Sequence, residues 1–85
     1  MPNILVIDDS STARLYYRET FEAAGFNVEE ALNGLEALEK TMTSSFDLLV
    51  VDINMPKMDG LTFLRELRRR EEVCGLPAIV ISTQD

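Results

Sequence analysis

Asn3-Ile4-Leu5-Val6-Ile7-Asp8-Asp9 and Leu48-Leu49-Val50-Val51-Asp52 decide the fold. Each is an almost unbroken apolar run, rich in β-branched residues, that stops on carboxylates. A strand with one wet face alternates polar and apolar residues, so a run without alternation predicts a strand covered on both faces, as in a parallel sheet. Between the two runs the period changes. Ala13, Tyr16, Tyr17, Phe21 and Ala24 fall on one helical stripe, with Arg14, Arg18, Glu19 and Glu22 mostly outside it. Asp9, Ser10 or Ser11 can cap the start of that helix and Gly25 ends it. Phe26-Asn27-Val28-Glu29 alternates like a short strand. Asn33 with Glu36 three residues later reads as a capping box, opening a second helix whose predicted buried stripe is Leu35, Leu38 and Met42.

Downstream of Asp52, the segment from Asn54 to Gly60 is rich in turn residues, and Asp59 is placed to cap a third helix that buries Leu61, Leu64 and Leu67. That helix runs out in Arg68, Arg69 and Arg70, which complement its dipole. Gly75-Leu76-Pro77 breaks the chain before a further apolar strand, Ala78-Ile79-Val80-Ile81. The order β-α-β-α-β-α-β, with a helix in every connection, predicts the α/β class: a doubly wound parallel sheet with right-handed crossovers, spanning residues 1–85 as one unit.

Composition narrows the chemistry. The 85 residues carry 8 Lys+Arg against 15 Asp+Glu, a formal charge of −7, which argues against a nucleic acid partner. No apolar run approaches the roughly 18 residues of a membrane span, and no signal-length segment follows Met1, so a cytoplasmic location is expected. Histidine is absent and Cys74 is the single cysteine, which removes intrachain disulfides, Cys/His zinc sites and catalysis through a histidine base. Cys74, beside Gly75, reads as a small structural residue.

In a doubly wound sheet, ligands sit at the carboxyl ends of strands where the winding reverses. With the Asn3–Ile7 and Leu48–Val51 strands adjacent there, Asp8, Asp9 and Asp52 would converge. Two carboxylates about 4 Å apart repel by roughly 4 kcal/mol at an effective dielectric of about 20, so three together call for a cation, a shared proton, or both. All-oxygen donors favour Mg²⁺, Mn²⁺ or Ca²⁺. The competing reading makes these aspartates helix caps and solvated loop charges.

Ile4-Leu5-Val6-Ile7-Asp8-Asp9-Ser10-Ser11, then Val50-Val51-Asp52-Ile53-Asn54-Met55-Pro56 with Met58-Asp59-Gly60, then Ile81-Ser82-Thr83, resembles the response-regulator receiver family, and most of all its single-domain chemotaxis regulators. The resemblance implies a flavodoxin-like fold and a phosphoacceptor module of two-component signal transduction, which receives a phosphoryl group from a histidine kinase and turns over no external substrate. It implies Asp52 as the phosphoacceptor, with Asp9 a direct Mg²⁺ ligand. Asp8 would act through metal-bound water, the backbone carbonyl of Asn54 would complete the protein ligands, and Thr83 would be the hydroxyl that contacts the phosphoryl group and couples it to conformation.

The family has five strands, in order 2-1-3-4-5, and five helices. Here the motifs reach only the fourth strand, predicting order 2-1-3-4 without the fifth strand and last two helices. The family's phosphoryl-binding lysine has no counterpart, because the only lysines are Lys40 and Lys57. Gln84 stands where the family usually has a small residue. Three expectations follow: weak Mg²⁺ binding with defective switching, an open edge on Ala78–Ile81, and pairing or segment exchange through that edge. The alternative functions are a structural or assembly fragment without signalling activity, and a Mg²⁺-dependent aspartate-nucleophile phosphohydrolase. The second would be expected to carry Asp-x-Asp-x-Thr, which Asp8-Asp9-Ser10-Ser11 does not match.

Overall fold

The computed structural model describes residues 2–55 and 58–81. The elements are β1 (Asn3–Ile7), α1 (Ser11–Ala23), β2 (Asn27–Ala31), α2 (Gly34–Thr43), β3 (Leu48–Asp52), α3 (Gly60–Arg68) and β4 (Ala78–Ile81). All strand pairs are parallel and the sheet order is β2-β1-β3-β4, as the sequence predicts. The winding reverses between β1 and β3, so right-handed crossovers place α1 on one face and α2 with α3 on the other.

The uninterrupted runs are the central strands. Ile4, Leu5, Val6 and Ile7 of β1 and Leu49, Val50 and Val51 of β3 are all buried. Their alternate residues feed two cores. Ile4, Val6, Val28 and Val50 pack under Tyr17, Phe21 and Phe26 on the α1 side. Leu5, Ile7, Leu49 and Val51 pack against Ala37 and Leu38 of α2 and Phe63 and Leu67 of α3 on the other. On β4, Ile79 and Val80 stay 50% and 45% exposed.

The caps follow the sequence. The Ser10 hydroxyl accepts from Ala13 N, Asn33 Oδ1 from Glu36 N, and Asp59 Oδ1 from Thr62 N. The returning arm of the box on α2 goes to the Leu32 N–H rather than to Asn33 itself. Gly25, at φ 95°, ends α1: its N–H reaches Glu22 O, Phe26 N reaches Phe21 O, and the Phe21 and Phe26 rings meet edge to face. That is the double hydrogen bond of a Schellman motif, with its apolar contact in place.

The helix stripes differ from expectation. On α1, Tyr16 is 65% exposed and Ala24 is exposed, while Arg14 is buried. On α2, Leu35 and Met42 are exposed, and Gly34, Ala37, Leu38 and Thr41 form the buried face. On α3, Leu61 is exposed and Phe63 joins Leu67 inside. Small residues let α2 lie close to its neighbours: a methyl built on Gly34 would come within 2.6 Å of Met58 O. The second strand begins and ends later than Phe26–Glu29, because Asn27 to Ala31 pair in register with the whole of β1. Cys74 lies exposed rather than in a core, and Arg68 bonds the carbonyls of Cys74 and Leu76, closing the turn before β4.

Candidate metal centre

Both central strands end in the same local device. Asp8 Oδ1 accepts from Ser10 N at 2.9 Å, and Asp52 Oδ1 from Asn54 N at 3.0 Å. Each carboxylate thus folds back over its own strand end in an Asx turn, which aims it at the carboxyl edge of the sheet. Because β1 and β3 are neighbours, Asp8, Asp9 and Asp52 meet there, with one carboxylate oxygen from each lying within 4.8 Å of the others. Asp8 and Asp52 are 1% and 0% exposed, and Asp9 faces solvent.

The electrostatics of this cluster are unfavourable as they stand. Asp8 Oδ2 is buried and has no hydrogen-bond partner among the described residues. Burial raises the Asp8 carboxyl above its ordinary range, the charges of Asp52 and Asp9 push the same way, and the Ser10 N–H opposes them. A proton shared with Asp52 is one way to satisfy the orphaned oxygen; a cation is the other. A hard divalent ion fits the all-oxygen donor set and the one buried oxygen without a donor. Tyr17, below the cluster on the α1 side, has its hydroxyl pKa raised by burial and by the charges of Asp8 and Asp52.

The folded chain binds the Asp8 proton more tightly than the unfolded chain does. Stability contributed by that proton is complete below the ordinary carboxylate range and is lost as pH rises through the raised value. Asp8→Asn should abolish this slope. Its amide also places a donor beside Asp52, so in chelator at pH 7 the variant should be about 1–2 kcal/mol more stable, a rise in Tm of about 4–8 °C per kcal/mol. Thermal melts of the two proteins from pH 4 to 8 measure both effects, and a lower Tm for the variant would contradict this account of the cluster.

Of the site residues expected from sequence, Asp8, Asp9 and Asp52 are brought together, and Asn54, two residues after Asp52, has its N–H on that carboxylate. Thr83, Gln84, Pro56 and Lys57 lie outside the described residues. Sequence reasoning missed Arg14 and the Ser10 N–H. A charged residue on a predicted helix is assigned outward by default, and an Asx turn leaves a trace only in Asp-x-Ser and Asp-x-Asn spacing.

The family model for the response regulator receiver domain matches residues 4–85. The chain belongs to the response regulator receiver family. The receiver sequence is 43% identical over 83 residues to the sensor histidine kinase CheAY of Helicobacter pylori, covering 95% of this chain and 10% of that protein. It is 41% identical over 81 residues to a protein-glutamate methylesterase/protein-glutamine glutaminase of Anaeromyxobacter dehalogenans, covering 95% of this chain and 22% of that one. The receiver therefore spans only a small part of these relatives. Among solved structures, chemotaxis protein CheY4 of Vibrio cholerae superposes with a TM-score of 0.93 at 34% identity, covering 100% of this chain and 71% of that one. Response regulator TrrA of Thermotoga maritima, solved in complex with Mg²⁺-BeF, gives 0.84 at 32% identity, covering 100% and 72%. The receiver of two-component signalling expected from the motifs is the family found, and the flavodoxin-like fold is the one observed.

Proposed function

We propose that this receiver accepts a phosphoryl group on Asp52 from a histidine kinase, with Mg²⁺ held by Asp9, Asp52 and the Asn54 carbonyl and with Asp8 acting through water. The supporting observation is the three-carboxylate cluster, buried at Asp8 and Asp52, with its orphaned Asp8 oxygen. Bound Mg²⁺ would supply charge neutralisation for the carboxylates and for the incoming phosphoryl oxygens. Asp52, oriented by the Asn54 N–H, presents a carboxylate oxygen to phosphorus. The new O–P bond forms as the P–N bond of phosphohistidine breaks, and the departing imidazole keeps the electron pair and takes up a proton. Little other covalent work is needed, because phosphoryl transfer depends chiefly on alignment and charge. Thr83 would contact the transferred group. The protein modifies itself and turns over no external substrate. A cytoplasmic location agrees with the absence, among the described residues, of any helix long and apolar enough to cross a membrane.

In the 85-residue chain the switch should be impaired. Among the described residues the one lysine, Lys40, donates from Nζ to Glu30 O rather than into the acidic cluster, and the sequence carries no match to the lysine that the family resemblance calls for. Incubation with acetyl phosphate and Mg²⁺ should give slow, incomplete labelling on Asp52 and none in chelator, read by peptide mass spectrometry. Fast labelling with a stable phosphoform would overturn the impairment, and no labelling at all would overturn the function.

The exposed β-branched residues Ile79 and Val80 on β4 favour a second role for the isolated chain, as an assembly unit that pairs with another copy or exchanges segments through this strand. Sedimentation at micromolar concentration should show a dimer or larger species, and a compact monomer alone would contradict it.

A further inference from the structure

We propose that Arg14 is a positioning residue for the acidic site, fixing the peptide unit that joins Asp8 to Asp9; the inference rests on reading the cluster as a cation site. Arg14 is 9% exposed, although it lies in the fourth position of α1, close to the positive end of a helix whose first turn holds no acidic residue. A cation there is disfavoured by the helix dipole. Its place is explained by what it holds.

Arg14 Nη1 donates to the backbone carbonyl of Asp8 at 2.7 Å, and Nε donates to Glu30 Oε1 at 2.8 Å. Glu30 is itself held from three sides. Arg18 Nε bonds its second carboxylate oxygen at 2.6 Å, Arg14 bonds the first, and Lys40 of α2 bonds its carbonyl. The two arginines keep the Glu30 carboxyl below its ordinary value, Arg18 foremost, against the opposing effect of burial. The guanidinium of Arg14 is therefore clamped at one side and aimed at Asp8 O with the other.

The peptide group is planar, so its carbonyl oxygen, the next N–H and both flanking Cα atoms turn together. Asp8 N is tied to Ala31 O at 3.1 Å and Asp8 Oδ1 to Ser10 N at 2.9 Å. With Arg14 on Asp8 O, the plane that carries the Asp9 Cα is also fixed. Asp9 is exposed, so this bond fixes the backbone point from which its carboxylate reaches toward Asp8 and Asp52. A fork of donors fixed in one plane is required, because a lysine at this position could serve the carboxylate or the carbonyl but not hold both at these angles.

Two readouts separate positioning from simple support. The first is Mg²⁺ affinity by calorimetry. Arg14→Gln and Arg14→Lys should each weaken it about tenfold, the lower end of what loss of an outer partner of a metal ligand costs. Arg18→Gln removes the other arm of the Glu30 clamp without touching Asp8 O, and should lower Tm yet leave Mg²⁺ affinity within about twofold. Affinity unchanged in both Arg14 variants, or weakened equally in Arg18→Gln, would overturn the proposal. The second readout needs no metal: amide exchange at Ser10, whose N–H is held by Asp8 Oδ1, should speed up in Arg14→Lys relative to Arg18→Gln at matched stability. If Arg14→Gln does not fold, Arg14→Lys carries both readouts. If the unsubstituted chain binds no Mg²⁺, the functional reading fails and Ser10 exchange alone decides the role of Arg14, equal exchange in the two variants overturning it.

Discussion

Asp52→Asn should lose phosphoryl labelling by acetyl phosphate at least about a hundredfold while melting no lower than the unsubstituted chain in chelator. The first half follows from chemistry. An amide oxygen carries no full charge, so the variant has no nucleophile to form the O–P bond. The second half follows from electrostatics. Asp52 is 0% exposed and stands within 4.8 Å of two other carboxylates, so neutralising it removes repulsion in a region of weak screening. An ordinary buried polar residue behaves in the opposite way, with substitution costing stability. Labelling and thermal melts on one preparation measure both halves. A variant that loses labelling only because it unfolds would contradict the account.

Gly60→Ala should be the most damaging alanine substitution among the four glycines. α3 begins at Gly60, packed directly on the end of β3, and an added Cβ would overlap the Asp52 carbonyl oxygen and stand 2.8 Å from Val51 Cγ1 and 2.9 Å from Ile53 Cα. Two of these three neighbours are backbone, at Asp52 and Ile53, so relief requires either moving α3 outward or tilting the end of β3. Overpacking of this kind costs about 3 kcal/mol, a large share of the total for a domain whose whole stability is on the order of 5–10 kcal/mol. Gly75→Ala is the matched control: nothing lies within 4 Å of its added methyl, so its effect should be neutral or slightly stabilising. Urea titrations of the two variants measure the contrast, and equal midpoints would contradict the close approach of α3 to β3.

The sheet was legible because β1 and β3 are buried on both faces, and a residue that cannot face water on either side must be apolar. The cluster was legible for the same reason: a carboxylate directly after such a run has to emerge at the sheet's carboxyl edge. The helices were harder. Stripe counting favours bulky residues and found Leu38, whereas α2 also packs through Gly34 and Ala37, whose small size permits close approach, and Leu35 and Met42 stay outside. On α3 the same counting favoured Leu61 over Phe63, which stands two residues on and about 200° round the helix. Arg14 illustrates the limit most clearly. Its burial depends on a carbonyl six residues earlier and on the Glu30 carboxylate of β2, and neither is adjacent in sequence.

The account holds that Asp8, Asp9 and Asp52 form one cation-dependent site built to take a phosphoryl group on Asp52. A ¹⁹F spectrum of the chain with beryllium fluoride tests this most directly, recorded with and without Mg²⁺ and repeated on Asp52→Asn. The account predicts bound beryllofluoride resonances that appear only with Mg²⁺ and vanish in the variant. Bound resonances that form without Mg²⁺ or survive Asp52→Asn, or their absence in the unsubstituted chain, would contradict it.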